Sequence, residues 1–281
     1  MEEQVLLRRM FTIAEEGGRI AMSLISDSAP RLKEDQSVLT KADQAISRLT
    51  QQVLADFLSG PEHLLIDEED ADNRRYFNQG LLERTPYLWS VDPIDGTRPF
   101  ANRMPFFGIS LGLLKNLKPH LGVVFFPMLG ELFYADGEKA FFIEQAFSSR
   151  EKKTEIVPAD QRITAQSIFF LSDLFFKRHN WDYSLCPVMS PSCAVVDLCW
   201  PAIGRGCGCF FNANLWDFAG SWPVLTAAGL GLRNLYTGEL LSSLSTGIFH
   251  GDEKKTWWLK DPYVVSSAQN FPVIQQNISA R

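Results

Sequence analysis

Two carboxylates three residues apart, Asp92 and Asp95, stand in the string WSVDPIDGTRPF from Trp89 to Phe100. An apolar lead-in of Tyr87, Leu88, Trp89 and Val91 runs straight into Asp92-Pro93-Ile94-Asp95-Gly96-Thr97, which reads as a buried strand ending in a tight turn. Pro93 fixes its φ and withholds a donor, while Gly96 lets backbone and ligand come close, so both carboxylates can converge on one point. Two such groups repel unless one is protonated or a cation lies between them. The cation suited to all-oxygen donors is hard and divalent, Mg²⁺ above all. Asp-Pro and Asp-Gly are also ordinary turn formers, so the spacing alone leaves a plain turn open.

Further acids flank this pair along the chain. His63 to Ile66 is a short apolar run that delivers Asp67, Glu68, Glu69 and Asp70 at its end, where four acids together otherwise mean a solvated turn. Asp217 falls in the first turn of a helix expected over Trp216 to Ala228, a place where the helix dipole favours a carboxylate in any case. Asp43 follows Thr40 by three residues at the start of a second helix, which fits a capping-box acid. Lys33 stands in a Ser-, Asp- and Pro-bearing loop, where a solvated charge is the simplest reading.

These motifs, in this order, resemble the inositol monophosphatase superfamily. Asp92-Pro93-Ile94-Asp95-Gly96-Thr97 looks like its first signature and Leu215-Trp216-Asp217-Phe218-Ala219-Gly220 like its second. Leu65-Ile66-Asp67-Glu68-Glu69 resembles the acidic motif that precedes them, and Lys33 to Asp43, KEDQSVLTKAD, the N-terminal motif. The resemblance implies an α/β fold, a layered α/β/α/β/α sandwich, with two or three Mg²⁺ ions as cofactor. It implies that Glu68, Asp92 and the Ile94 carbonyl hold one ion and that Asp92, Asp95 and Asp217 hold a second. Thr97, oriented by Asp43, would position the attacking water together with Glu68. Asp95, Gly96, Thr97 and Lys33 would face the phosphate, and Cys193 and Phe210 occupy substrate-pocket positions.

The implied reaction is hydrolysis of a phosphate monoester of a small sugar, inositol or related metabolite, and a homodimer is implied by the same resemblance. Phe210 stands where inositol-specific members carry a glutamate, and a phenyl ring accepts no hydrogen bond from a polyol. The Gly-Thr-Ala stretch of the family's pocket is matched by Pro191-Ser192-Cys193, and Arg98 after Thr97 is closer to the histidinol-phosphatase and nucleotide-phosphatase branches. Histidinol phosphate and 3′-phosphoadenosine 5′-phosphate are therefore alternative substrates. A family member that binds a partner and keeps the metal site as a relic is the alternative from another class.

The elements that must position these groups follow from periodicity. Val5 to Ile25 carries Leu6, Met10, Ile13, Ala14, Ile20, Ala21 and Leu24 at helical spacing. The helix after Thr40 carries Ile46, Leu49, Val53, Leu54 and Phe57. Phe106 to Phe142 reads as an antiparallel meander, Ile168 to Leu171 as a strand, Ser192 to Ile203 as a helix and Cys207 to Phe211 as a strand. A single domain is expected, with lobes of about residues 1–147 and 148–281.

Bulk properties narrow the partners. The chain has 281 residues, 46% hydrophobic, with 27 basic against 33 acidic side chains and a formal charge of −6, which speaks against a nucleic-acid surface. No apolar run reaches the length of a membrane span, the first ten residues lack a signal-peptide core, and a cytoplasmic location is expected. Five cysteines, all between Cys186 and Cys209, are odd in number and read as buried thiols.

Overall fold

The computed structural model describes residues 2–25, 31–32, 38–39, 41–158, 162–253 and 255–281. In chain order the first half contains α1 (Glu2–Leu24), β1 (Arg31–Leu32), β2 (Val38–Leu39), α2 (Lys41–Val53), α3 (Ala55–Leu58), β3 (His63–Asp67), α4 (Gln79–Arg84), β4 (Tyr87–Asp95) and α5 (Thr97–Ala101). The meander follows as β5 (Gly108–Lys115), β6 (Lys118–Phe126), β7 (Glu131–Asp136), β8 (Ala140–Glu144) and β9 (Lys152–Ile156). The remainder is β10 (Phe169–Leu171), α6 (Phe175–Arg178), β11 (His179–Trp181), β12 (Val188–Met189), α7 (Ala194–Cys199), β13 (Gly208–Phe211), α8 (Leu215–Ala219), α9 (Trp222–Ala227), β14 (Gly231–Asn234), β15 (Tyr263–Ser266), α10 (Phe271–Asn277) and β16 (Ile278–Ala280).

Among the described residues, β3 to β9 form one seven-stranded sheet in sequence order, with β3 parallel to β4 and the rest antiparallel. A second, five-stranded sheet has the order β12-β10-β13-β15-β14. Helices α1 and α2 cover one face of the large sheet, α8 and α9 cover the other, α7 lies between the sheets against β13, and α10 packs outside on β15. The result is the expected layered α/β/α/β/α sandwich. Strand β9 extends the large sheet beyond residue 147, the expected boundary between lobes, and one apolar cluster runs from Ile66 and Phe126 of the large sheet through Phe218 to Val265 of the small one.

The α1 stripe of Leu6, Met10, Ile13, Ala14 and Ala21 is fully buried. Helix α2 turns a more polar face inward than its periodicity suggested: Asp43, Ser47 and Thr50 are buried beside Ala42 and Ile46, while Leu49 is only half-buried. The helix expected over Trp216 to Ala228 is split into α8 and α9, because Pro223 has no N–H for the carbonyl of Ala219. The helix expected over Ser192 to Ile203 likewise tightens after Cys199 into a 3₁₀ turn over Trp200–Ile203 that contains Pro201.

Candidate metal centre and adjoining cavity

Strand β4 is buried along its whole length and carries Asp92 and Asp95 at its end. On a regular strand, side chains three apart point to opposite faces. Here Asp92 pairs with Ser110 and Asp95 with Gly108, three steps on β4 against two on β5. That β-bulge inserts the extra residue that brings both carboxylates to one side. Gly96 follows at φ +82°, and a Cβ on it would lie 2.5 Å from the Phe106 carbonyl oxygen and 3.1 Å from the Cys193 sulfur, so only glycine closes this turn.

Asp217 reaches the same point from α8. Its Oδ2 accepts from the Asn214 amide at 2.7 Å, and Asn214 returns the bond as helix cap. One carboxylate oxygen each from Asp92, Asp95 and Asp217 lie within 4.8 Å of one another. Burial pushes all three above the usual carboxylate range. Asp92 is raised well above that range, first by burial and then by the Glu68 charge. Asp217 is pushed up to about 8, by burial and then by the Asp95 charge. Burial also raises Asp95, against the amide of Val195 and the thiol of Cys193, which both bond to its Oδ2, at 2.6 and 3.1 Å.

The Oδ1 of Asp92 is buried with no hydrogen-bond partner, an arrangement that costs free energy unless something cationic completes it. A hard divalent cation fits this donor set: oxygen only, anionic, and one oxygen unsatisfied.

The other expected site residues are distributed as follows. Glu68 lies at the turn after β3, its amide on the Val91 carbonyl at 3.1 Å. It stands outside the trio that converges within 4.8 Å. Asp43 is 2% exposed in the first turn of α2, and its charge also reaches Asp92. The Thr97 hydroxyl donates to the Ile94 carbonyl at 3.2 Å, which links the two groups expected to face water and ion. Lys33 lies outside the described residues.

The two residues at implied substrate-pocket positions are both buried. Cys193, expected to contact substrate, is 3% exposed and its thiol, pushed far up by burial, is bonded to Asp95. Phe210 is 2% exposed, its ring edge-on to Phe175 at 4.9 Å, and it lines a cavity. Ser192, in the stretch before Cys193, holds a left-handed φ of +59°.

That cavity measures about 1160 Å³ and is lined by Glu68, Asn214 and Trp216 beside the acid trio, by Phe210 below, and by Lys177 and Arg178 on a further wall. Asp67, first of the four acids that follow Ile66, is part of the turn itself. It is 1% exposed, accepting from Ser47 Oγ at 2.6 Å and from the Glu69 amide at 2.9 Å, and so shapes the turn that presents Glu68. Asp197, raised well above the usual range by burial and with Oδ1 unpartnered, was also missed; an acid inside the apolar run Ala194–Cys199 was its signal.

A sequence model of the inositol monophosphatase family matches residues 3–271. The chain belongs to the inositol monophosphatase family. Within it, the chain is 34% identical over 134 residues to the 3′(2′),5′-bisphosphate nucleotidase CysQ of Aggregatibacter actinomycetemcomitans, a match spanning 46% of either protein, so under half of that relative's length. It is 25% identical over 274 residues to the histidinol-phosphatase of Chlorobaculum parvum, covering 86% of this chain and 97% of that one. A solved IMPase/NADP phosphatase complexed with NADP and Ca²⁺ superposes with a TM-score of 0.74 at 20% identity, over 98% of this chain and 95% of the other, and shares the family fold.

Proposed function

We propose that this inositol monophosphatase family member is a Mg²⁺-dependent phosphate monoester hydrolase acting on a small phosphorylated metabolite. The observation that carries the reading is the trio Asp92, Asp95 and Asp217, the first two buried and the third half-buried, converging within 4.8 Å, with an unsatisfied oxygen on Asp92 and a cavity alongside. Asp92, Asp95 and Asp217, with Glu68 and the Ile94 carbonyl, would hold two or three Mg²⁺ ions. Bound there, the ions supply positive charge for the phosphate and the leaving oxygen and lower the pKa of water.

The protein's own groups do the rest. Glu68 at the cavity wall and the Thr97 hydroxyl hold and orient the attacking water, and Asp43, buried nearby, fixes that corner of α2. The amides of Gly96 and Thr97 receive phosphate oxygens. The bonds from Val195 and Cys193 keep the Asp95 carboxylate turned to the trio. The P–O bond to the alcohol breaks as the water oxygen bonds to phosphorus, without a phosphoenzyme.

The leaving group is read from the cavity. Phe210 offers no acceptor to a polyol, and Lys177 and Arg178 on the wall make no ion pair among the described residues. This favours a second reading within the class, a nucleotide or other substrate that carries a further anionic group, in keeping with the nucleotidase relative.

Phosphate release is to be measured from inositol 1-phosphate, histidinol phosphate, fructose 1,6-bisphosphate and 3′-phosphoadenosine 5′-phosphate, with and without Mg²⁺. Metal-dependent turnover of one compound, abolished in Asp95→Asn, is expected. Absence of turnover together with absence of Mg²⁺ binding would sink the reading and leave a partner-binding role.

A further inference from the structure

Ser192 is a non-glycine residue held at φ +59°, immediately before the segment that grips Asp95. An L-residue in the left-handed region is strained and persists where its surroundings over-determine it. One carboxylate binds both serines of this turn. Asp173 accepts the Ser190 hydroxyl at 3.1 Å and the Ser192 hydroxyl at 3.0 Å on Oδ1 and 3.2 Å on Oδ2. Its Oδ2 also receives the Arg98 guanidinium at 3.3 Å.

Arg98 lies on α5, three residues after Asp95. Cys193 and Val195, which bond to the Oδ2 of Asp95, lie one and three residues after Ser192. The contacts therefore form a closed circuit: from Asp95 along the chain to Arg98, across to Asp173, to Ser192, along to Cys193 and Val195, and back to Asp95. Asp173 is the link that joins Arg98 of α5 to the serine turn in this circuit.

We propose that Asp173 is a positioning residue that clamps the Ser190–Ser192 turn to α5 and so fixes the Asp95 carboxylate in the candidate metal site. The inference rests on the proposed metal-dependent hydrolysis. Asp173 is not among the residues that line the cavity. It is 46% exposed and Arg98 is 66% exposed, so the ion pair by itself contributes little to global stability. Its effect is local: releasing the turn lets Ser192 relax toward negative φ, and the Cys193 thiol and the Val195 amide move with it.

Two measurements on the full chain test this. The first is the Mg²⁺ concentration at half-maximal thermal stabilisation. Asp173→Ala should raise it by about tenfold, the scale of losses seen when groups behind metal ligands are removed, with the Tm in chelator nearly unchanged. The second is the alkylation rate of Cys193 by N-ethylmaleimide, read by peptide mapping, which should rise at least severalfold in Asp173→Ala. Asp173→Ala/Ser192→Gly should bring both quantities back toward wild type, since glycine takes the left-handed turn without a clamp, and a residue of merely structural weight would show no such rescue.

Wild-type Mg²⁺ response and Cys193 labelling in Asp173→Ala overturn the clamp, as does failure of Ser192→Gly to restore either. If Cys193 labels faster in Asp173→Ala while wild type itself shows no Mg²⁺ response, the clamp on the turn stands and the metal reading fails.

Discussion

Asp67 brings a carboxyl into the interior with no cationic side chain paired to it among the described residues. Burial pushes it up to about 6, against the Ser47 hydroxyl and the Glu69 amide that favour its ionised form. A folded-state pKa above the unfolded value means that the stability contribution is fully present below about pH 4 and is lost as pH rises through about 6. Asp67→Ala leaves the Ser47 hydroxyl and the Glu69 amide without this acceptor and should cost about 1–3 kcal/mol in urea unfolding. Asp67→Asn keeps an acceptor for the Glu69 amide and removes the charge, so at pH 7.5 it should cost less than Asp67→Ala. A larger loss for Asn than for Ala would show that the ionised carboxylate is itself needed, and that the turn presenting Glu68 depends on charge. Asp95→Asn is the residue-scale test of chemistry, and Asp173→Ala that of positioning.

At the scale of elements, the centre depends on how closely α8 approaches the large sheet. Gly112 of β5 and Gly122 of β6 are cross-strand partners. A Cβ on Gly112 would lie 2.5 Å from the Ala219 carbonyl carbon, and one on Gly122 only 2.1 Å from the Gly220 carbonyl oxygen. The pair forms a groove in which the end of α8 beds, and Ser110 Oγ donates to the Trp216 carbonyl at 3.2 Å from the same sheet face. This contact brings Asp217 from a distant part of the chain to Asp92. Gly122→Ala should therefore destabilise by about 1–3 kcal/mol through overpacking and also weaken Mg²⁺ binding, as read from thermal unfolding with and without the ion. A variant destabilised to that degree with wild-type Mg²⁺ response would mean that α8 is placed by its other contacts.

For the molecule as a whole, buried acids raised above their usual range set the response to pH. Asp67, Asp92, Asp95, Asp197 and Asp217 all shift upward on burial. Each favours the folded state when protonated, so stability in chelator should fall as pH rises from about 4 through 8, the Asp217 share being lost around 8. Mg²⁺ binds the deprotonated groups, and a ligand of the folded state alone adds about 2.7 kcal/mol at a hundred times its Kd. The rise in Tm on adding Mg²⁺ should then be larger at pH 8 than at pH 6. A rise independent of pH would place the ion away from these carboxylates. Among the described residues no helix is long and apolar enough to cross a membrane.

What the sequence by itself determined is local and periodic. The stripe of α1, the strand β4 with its terminal Asp-Pro-Ile-Asp-Gly-Thr turn, the meander after it and the motif order that marks the family were all legible, because neighbouring residues encode helix, strand and turn directly. Tertiary structure decided the rest. The bulge that turns Asp92 and Asp95 to one face exists only in register with β5, and Asp217 joins them only because two glycines admit α8. Packing buries both residues at implied pocket positions: Cys193 lies on Asp95, and Phe210 packs against Phe175 while lining the cavity. The inward polar face of α2, the burial of Asp67 and the four-contact role of Asp173 depend on partners at least fifteen residues away in sequence, where no periodicity reaches and only the folded chain brings donor and acceptor together.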